Sequence, residues 1–288
     1  MSFVESSSVI TYDGGIRAEE MAMSDGLDTE VAHPARRYNY WLGGKDNFAA
    51  DRESGDLLAK SYPAARTAAR ANRAFLQRAV RYLAAEVGIR QFLDIGTGLP
   101  TADNTHEVAQ RILPDSRVVY VDNDPMVMTH ARALLHSTPQ GRTRYLEQDL
   151  RNPERILSHP DLVDTVDLDQ PVALMLVAIV HFLPDQATAR DIVATLLGAL
   201  PSGSYLTMSC ATKDFLTPEL AANWDATLRN GQSDVYPRER AEFAEFFSGL
   251  DLLEPGIVPV SEWRPDPDAT ERPAPLEASI FGAVGRKP

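Results

Sequence analysis

The stretch QFLDIGTGLPT, residues 91–101, decides how the rest of the chain is read. Phe92, Leu93 and Ile95 make a short apolar run with Asp94 inside it, and Gly96 and Gly98 follow with one residue between them. The pattern predicts a buried strand ending in a tight glycine turn, with a helix from about Ala102. Glycines at such a turn reach backbone conformations closed to other residues and let a ligand lie against bare peptide. A turn that binds nothing has the same pattern, so the ligand has to be argued from elsewhere in the chain.

Outward from this stretch, strands and helices alternate. Strands are expected at 91–95, 117–121, 143–146, 172–177 and 203–209, with helices at 105–113, 126–135 and 185–200. The fourth strand is almost continuously apolar, as a strand covered on both faces should be. Such alternation builds a parallel sheet between two helical layers. Residues 212–250 interrupt the rhythm with two helices around the loop at 230–233. They form an insertion that could cover a substrate, with Trp224, Tyr236 and Arg238 as candidate walls. The last two strands, 256–261 and 278–284, have no helix between them and form an antiparallel hairpin at the end of the sheet.

The first 90 residues lie outside this alternation. Residues 1–32 have few large apolar side chains and no sustained period, and read as a mobile extension. In 36–53, Tyr38, Tyr40, Trp41 and Leu42 precede Gly43-Gly44 and the polar cluster Lys45-Asp46-Asn47. This reads as a structured loop, either a lid over a ligand or an arm anchored by its aromatics. Residues 64–87 have a helical period, with Phe75, Ala79, Leu83 and Val87 on one face and five arginines on the others. The expected units are the extension (1–32), an arm and helix (33–90), and a core (91–288) with the insertion at 212–250.

Two details narrow the ligand. A dinucleotide-binding turn needs a third glycine at position 101, but Thr101 stands there after Pro100. A carboxylate at Asp94 would also repel a pyrophosphate, and suits a cationic ligand. Acidic residues recur at three strand ends, Asp94, Asp122 and Asp149, spaced by 28 and 27 residues. One at the end of the second strand can accept both hydroxyls of a ribose, and one after the third can accept from an adenine amino group. S-adenosylmethionine carries an ammonium, a sulfonium and no phosphate. The turn resembles motif I of the Rossmann-like class I methyltransferases, matched by Asp94, Gly96 and Gly98, with the usual later glycine replaced.

More of the chain carries a closer resemblance. YNYWLGGKDNFAADR, FLDIGTGLPT, NTHEVAQ, VVYVDNDP and FFSGLDLLEPG together resemble the actinobacterial S-adenosylmethionine-dependent methyltransferase family catalogued as DUF574, from about Pro34 onward. The resemblance implies an α/β, Rossmann-like class I methyltransferase sheet. It would have seven strands in the order 3-2-1-4-5-7-6, the last antiparallel, after an N-terminal helical extension. It also implies S-adenosyl-L-methionine or S-adenosyl-L-homocysteine as cofactor. The expected contacts are Asp94, Gly96, Thr97, Gly98, Asp122, Asn123, Asp149, Leu150 and Val177, with Lys45 and Arg73 near the methionyl carboxylate. The segment VAIVHFLPD, 177–185, resembles the motif after strand four of many small-molecule methyltransferases. His181 there is either a general base or a packed core histidine.

Composition bounds the alternatives. The chain has 288 residues, 44% hydrophobic, with 41 acidic against 28 basic side chains. That balance disfavours a nucleic-acid substrate, because phosphate backbones need clustered Lys and Arg. No apolar run approaches the roughly 18 residues of a membrane helix, and the first residues do not read as a secretory signal. One cysteine, Cys210, excludes an internal disulfide and a cysteine-built metal site. The expectation is a cytoplasmic methyltransferase acting on a small molecule, without a metal. A non-catalytic binder of the same cofactor and an NAD(P)-dependent oxidoreductase are the alternatives, the latter opposed by Asp94 and Thr101.

Overall fold

The computed structural model of the protein describes residues 27–134, 137–267 and 272–288. The expected mobile extension lies outside the described residues as far as residue 26. Three helices come first: α1 (Pro34–Leu42), α2 (Ala49–Ser61) and α3 (Ala65–Tyr82). Then follow β1 (Gln91–Ile95), α4 (Thr105–Ile112), β2 (Arg117–Asp122), α5 (Pro125–Leu134) and β3 (Arg142–Glu147). Two short helices, α6 (Pro153–Leu157) and α7 (Pro160–Val163), lead to β4 (Ala173–Val177), α8 (Gln186–Gly198) and β5 (Tyr205–Ala211). The insertion supplies α9 (Pro218–Arg229) and α10 (Arg240–Glu245). The chain then runs through β6 (Asp251–Leu252), β7 (Val258–Pro259), α11 (Pro275–Ala278) and β8 (Ile280–Arg286).

The sheet order is β3-β2-β1-β4-β5-β8-β6, with β7 also on β8. The first five are parallel, with Leu93 beside Val119 and Leu174, and β8 runs antiparallel to β5, with Met208 beside Ala283. Of the expected sixth strand, 256–261, only Val258–Pro259 pairs with β8, and a second short piece, Asp251–Leu252, pairs there ahead of it. Gly256 turns the chain at a φ of +81°, and Pro255 and Pro259 bring no N–H to a ladder.

Strand periodicity sorts the core into two layers. Leu93, Ile95, Val119, Val121, Leu174 and Leu176 face α8, meeting Ala189, Ile192, Val193 and Leu196. Phe92, Val118, Tyr120, Ala173, Met175 and Val177 face the other way, onto Phe75, Ala79, Val80 and Leu83 of α3. The N-terminal part is therefore half of the core. Of residues 36–53, which read as a structured loop, those up to Leu42 belong to α1 and those from Ala49 to α2. Pro34 opens α1, His33 Nδ1 accepts the N–H of Ala35 at 3.3 Å, and Gly43 closes it in the left-handed region at φ +86°. Those are ordinary start and stop signals, masked in the sequence by the aromatic cluster inside them.

Phe75 is fully buried, edge-on to Trp263 at 5.5 Å between ring centres, and its ring would lie 3.0 Å from a Cβ added at Gly282. Phe75→Ala should cost about 3–5 kcal/mol through the cavity it leaves. Urea unfolding followed by circular dichroism checks this.

Candidate active site

The carboxyl ends of β1, β2 and β4 open into one cavity of about 490 Å³. It sits where strand order reverses between β1 and β4, the position at which open α/β sheets bind ligands. Arg73, Asp94, Gly96, Thr97, Gly98, Asp122, Asn123, Asp149, Leu150, Val177 and His181 all line it. Lys45 does not; it is exposed beyond α1. The Gly43-Gly44 turn leads the chain off the helix, and Asn39 Oδ1 holds the following cluster through Asp46 N–H at 3.2 Å and Asn47 Nδ2 at 2.9 Å. The arginines at the cavity wall are Arg37, Arg73 and Arg151, the last taken up by Asp149.

Gly96 and Gly98 both have positive φ, +75° and +67°. A Cβ on Gly96 would lie 2.6 Å from the Ile179 side chain, so no larger residue fits that turn without rearrangement. Asp122 braces the turn directly. Its Oδ2 accepts Gly98 N–H at 2.8 Å and its Oδ1 accepts Asp124 N–H at 3.0 Å. Burial raises the Asp122 pKa, against the opposing pull of those two N–H groups.

Asp94 is 3% exposed and accepts the Thr105 hydroxyl at 2.6 Å. Burial pushes its pKa up to about 6, although Thr105 and the nearby Arg73 pull it down. Arg73 Nη2 donates to the carbonyls of Ala102 and Asp103 at 3.3 and 3.1 Å and to Asn104 Oδ1 at 3.1 Å. Its Nε is buried and has no hydrogen-bond partner among the described residues. Asp149 is half-buried and held by Arg151, through Nε at 2.9 Å and Nη2, and by Asn123 at 3.2 Å. Burial opposes ionisation of Asp149, but Arg151 prevails and its pKa is lowered.

Next to Val177, Ala178 takes a left-handed φ of +56°. Its N–H is held by Ser209 Oγ at 2.9 Å, and Ser209 donates to Asn72 Oδ1 at 2.6 Å. Asn72 Nδ2 donates to the Tyr38 hydroxyl at 3.1 Å, and Tyr38 to the Ala69 carbonyl at 2.8 Å. This relay joins α1, α3 and β5 to the turn after β4, where a strained residue is over-determined by its surroundings. His181 follows in that turn, 6% exposed. Its Nδ1 faces the N–H of Ala211 at 3.2 Å, so the neutral ring carries its proton on Nε2. Burial, reinforced by Arg238 and Arg37, pushes its pKa down to about 3. The ring is thus a neutral hydrogen-bond donor lining the cavity, and of the two readings of His181 this favours the packed histidine over the general base.

The insertion contributes Trp224, Thr227, Ser233, Asp234 and Val235 to the wall. Tyr236 and Arg238 do not line it. Tyr236 donates its N–H to the His181 carbonyl at 2.8 Å. Arg238 lies behind the turn, bonded to the carbonyls of Val180 and Leu183 at 3.2 and 2.7 Å. Sequence reading also passed over His33, Arg36 and Asp124. His33 Nδ1 and Arg36 Nε stand 3.0 and 3.1 Å from Asp124 Oδ2, docking α1 against the loop after β2. The Asp-Pro pair ahead of a helix pattern was the available signal for Asp124.

A parallel sheet reversing order at a glycine turn, with an antiparallel strand at its far side and acidic residues at successive strand ends, defines a class I methyltransferase. The model of the S-adenosyl methyltransferase family matches residues 20–288, and the chain belongs to that family. The chain is 50% identical to a DUF574 family protein from Streptomyces avermitilis MA-4680, whose crystal structure superposes with a TM-score of 0.86 over 91% of this chain and 100% of that one. It is 42% identical to a candidate methyltransferase from Thermobifida fusca YX, with a TM-score of 0.81 over 91% of this chain and 97% of that one. No curated protein matches the chain. The protein is an S-adenosylmethionine-dependent methyltransferase. Among the described residues, no helix is long and apolar enough to cross a membrane.

The donor set fits the cofactor. There are carboxylates for an ammonium and a diol, a buried arginine Nε without a partner, and a turn of bare peptide. Because the folded Asp94 pKa, about 6, lies above the ordinary 3.8, this residue favours the folded state fully only below about pH 3.8, and the contribution is lost as pH rises through 6. Asp94→Asn should therefore stabilise the ligand-free protein by up to about 3 kcal/mol at pH 8 and by little at pH 4. Thermal melts at the two pH values check this.

Proposed function

We propose that the protein methylates a small-molecule acceptor, with the cofactor held along β1, β2 and β3 and the acceptor under α1 and the insertion. The cofactor supplies an electrophilic methyl group on a sulfonium. The observation that carries this reading is the buried, cavity-facing Asp94 beside a glycine turn at the switch point. A carboxylate whose ionisation is opposed by burial gains most from a cationic ligand, and here the ligand's ammonium would meet it.

In this reading, Arg73 takes the methionyl carboxylate through its unpartnered Nε. Asp122 takes the ribose hydroxyls with the lone pairs not used by Gly98 and Asp124. Asp149, Asn123 and Leu150 bound the adenine, Gly96, Thr97 and Gly98 give backbone contact, and Val177 packs beside the reacting end. His181 offers Nε2–H to the acceptor. Methyl transfer depends chiefly on in-line alignment, which the Tyr38–Asn72–Ser209 relay supports by fixing the turn after β4. In this reading, residues 33–90 both cover one face of the sheet and serve as a roof over the cavity, and the catalytic machinery of 91–288 lies beneath it. We assign the protein to the cytoplasm, where the buried thiol of Cys210, its pKa raised to about 11 by burial, stays reduced and inert.

Calorimetric titration with S-adenosylmethionine and S-adenosylhomocysteine tests the reading. Asp122→Ala should weaken both at least tenfold, since a hydrogen bond to a charged group is worth about 1.5–3 kcal/mol. Wild-type affinity should fall as pH drops below about 6, because the ammonium needs Asp94 ionised, and Asp94→Asn should bind weakly with a flat profile. Unchanged affinity in a folded Asp122→Ala protein would remove the residue from the site.

A further inference from the structure

The acceptor end of the cavity has its own chemistry. Its walls are Trp41, Leu58, Tyr62, Trp224 and Val235, an apolar and largely aromatic chamber. Tyr62 and Trp224 lie 5.6 Å apart at a tilt, and the Trp41 ring is 5.8 Å from the Arg37 guanidinium carbon. Arg37 is the charged exception. Its side chain is 5% exposed, Nη1 donates to Ser54 Oγ at 3.2 Å, and Nη2 meets Asp234. Its Nε has no hydrogen-bond partner among the described residues. Asp234 sits at the rim on the insertion loop, its side chain 43% exposed.

This end has no evident base. His181 Nδ1 is taken up by a backbone N–H. Asp234 is engaged by Arg37, the Tyr38 hydroxyl donates to a carbonyl, and His33 lies at the cofactor end, against Asp124 of the loop after β2. Tyr62 turns its hydroxyl out of the chamber, onto the carbonyls of Leu276 and Glu277 at 3.0 and 2.7 Å. An acceptor that must shed a proton to become nucleophilic finds no free group among the described residues at this end to take it. A protonated amine is opposed by the buried guanidinium. A carboxylate has neither difficulty.

We propose that the acceptor is the carboxylate of a small aromatic or apolar acid, held by Arg37 and by the Nε2–H of His181, and that the product is its methyl ester. The inference rests on the methyltransferase reading above. A carboxylate oxygen donates an electron pair to the methyl carbon, the carbon–sulfur bond breaks with its pair left on sulfur, and no proton moves. Asp234 holds the place of the substrate carboxylate in the free protein. Arg37 is the buried partner and Asp234 the solvated one, so the aspartate can return to water when the acid binds.

The test uses protein saturated with S-adenosylhomocysteine, titrated in a calorimeter with phenylacetate, cinnamate and indole-3-acetate, and with phenylacetamide, phenol and phenethylamine as controls. At least one acid should bind, with each control about tenfold weaker or undetectable. Arg37→Gln should lose that binding about tenfold while retaining S-adenosylhomocysteine, and Asp234→Asn, which removes the internal competitor, should strengthen it several-fold. With S-adenosylmethionine, the bound acid should give a base-labile methyl ester by mass spectrometry. Failure of every acid to bind the loaded protein overturns the proposal, as does equal binding of amide, phenol or amine, or acid binding indifferent to both substitutions. If wild-type protein takes up no S-adenosylhomocysteine, the cofactor assignment fails instead, so the two failures are distinguishable. Should Arg37→Gln not fold, Asp234→Asn decides, since no change or a loss there overturns the proposal.

Discussion

One carboxylate connects the parts of this molecule. Asp122 ends β2, accepts the N–H of Gly98 in the turn after β1, and accepts the N–H of Asp124 two residues on. The first bond sets the shape of the glycine turn, which could otherwise open, since both its glycines sit in a region that costs them little. The second orients Asp124 toward α1, where His33 and Arg36 meet it. Asp51 continues the link, accepting His33 N–H at 2.8 Å and Phe48 N–H at 2.8 Å at the start of α2. Cofactor turn and N-terminal roof thus share a row of buried polar groups, each of which would be costly to leave unpaired.

That continuity explains why the first helices do not behave as an appendage. A buried ion pair such as Arg36–Asp124 is weak evidence for stability, because removing two charges from water offsets much of their attraction. Its value here is positional. Breaking it would strand one charge in the interior, so α1 has one favourable docking geometry and carries Arg37, Tyr38 and Trp41 to the cavity with it. Chemical groups from three places, α1, the turn after β4 and the insertion, are held against one space by buried ion pairs and hydrogen bonds.

Much of this was legible before any coordinates. The strand and helix rhythm, the glycine turn and the three phased acidic residues rest on periods of two and 3.6 and on the length of one strand-helix unit, which are local properties. The lining role of Arg73 is also consistent with its place on the helix face. What stayed hidden was non-local. Nothing near Lys45 in sequence says that the Gly43-Gly44 turn carries it away, whereas Arg37, eight residues earlier on α1, faces inward. Nothing near His181 reveals that Ala211, thirty residues on, would occupy Nδ1 and fix the tautomer. The split of the sixth strand could have been anticipated from Pro255, Gly256 and Pro259, each a poor ladder residue.

The position of β8 sets the order in which this molecule can be completed during synthesis. Its ladder pairs Arg286 with Tyr205 of β5, and one of its faces receives α3, so that Phe75 and Gly282 pack together. A nascent chain that has reached the end of β5 therefore carries an unpaired central edge and an α3 face still lacking its cover. At about 5–20 residues per second, the missing strand follows roughly 4–15 seconds later. Through that interval the growing polypeptide presents a sticky sheet edge to its surroundings. It is the period in which chaperone capture, or association with a neighbouring ribosome's product, competes with native closure.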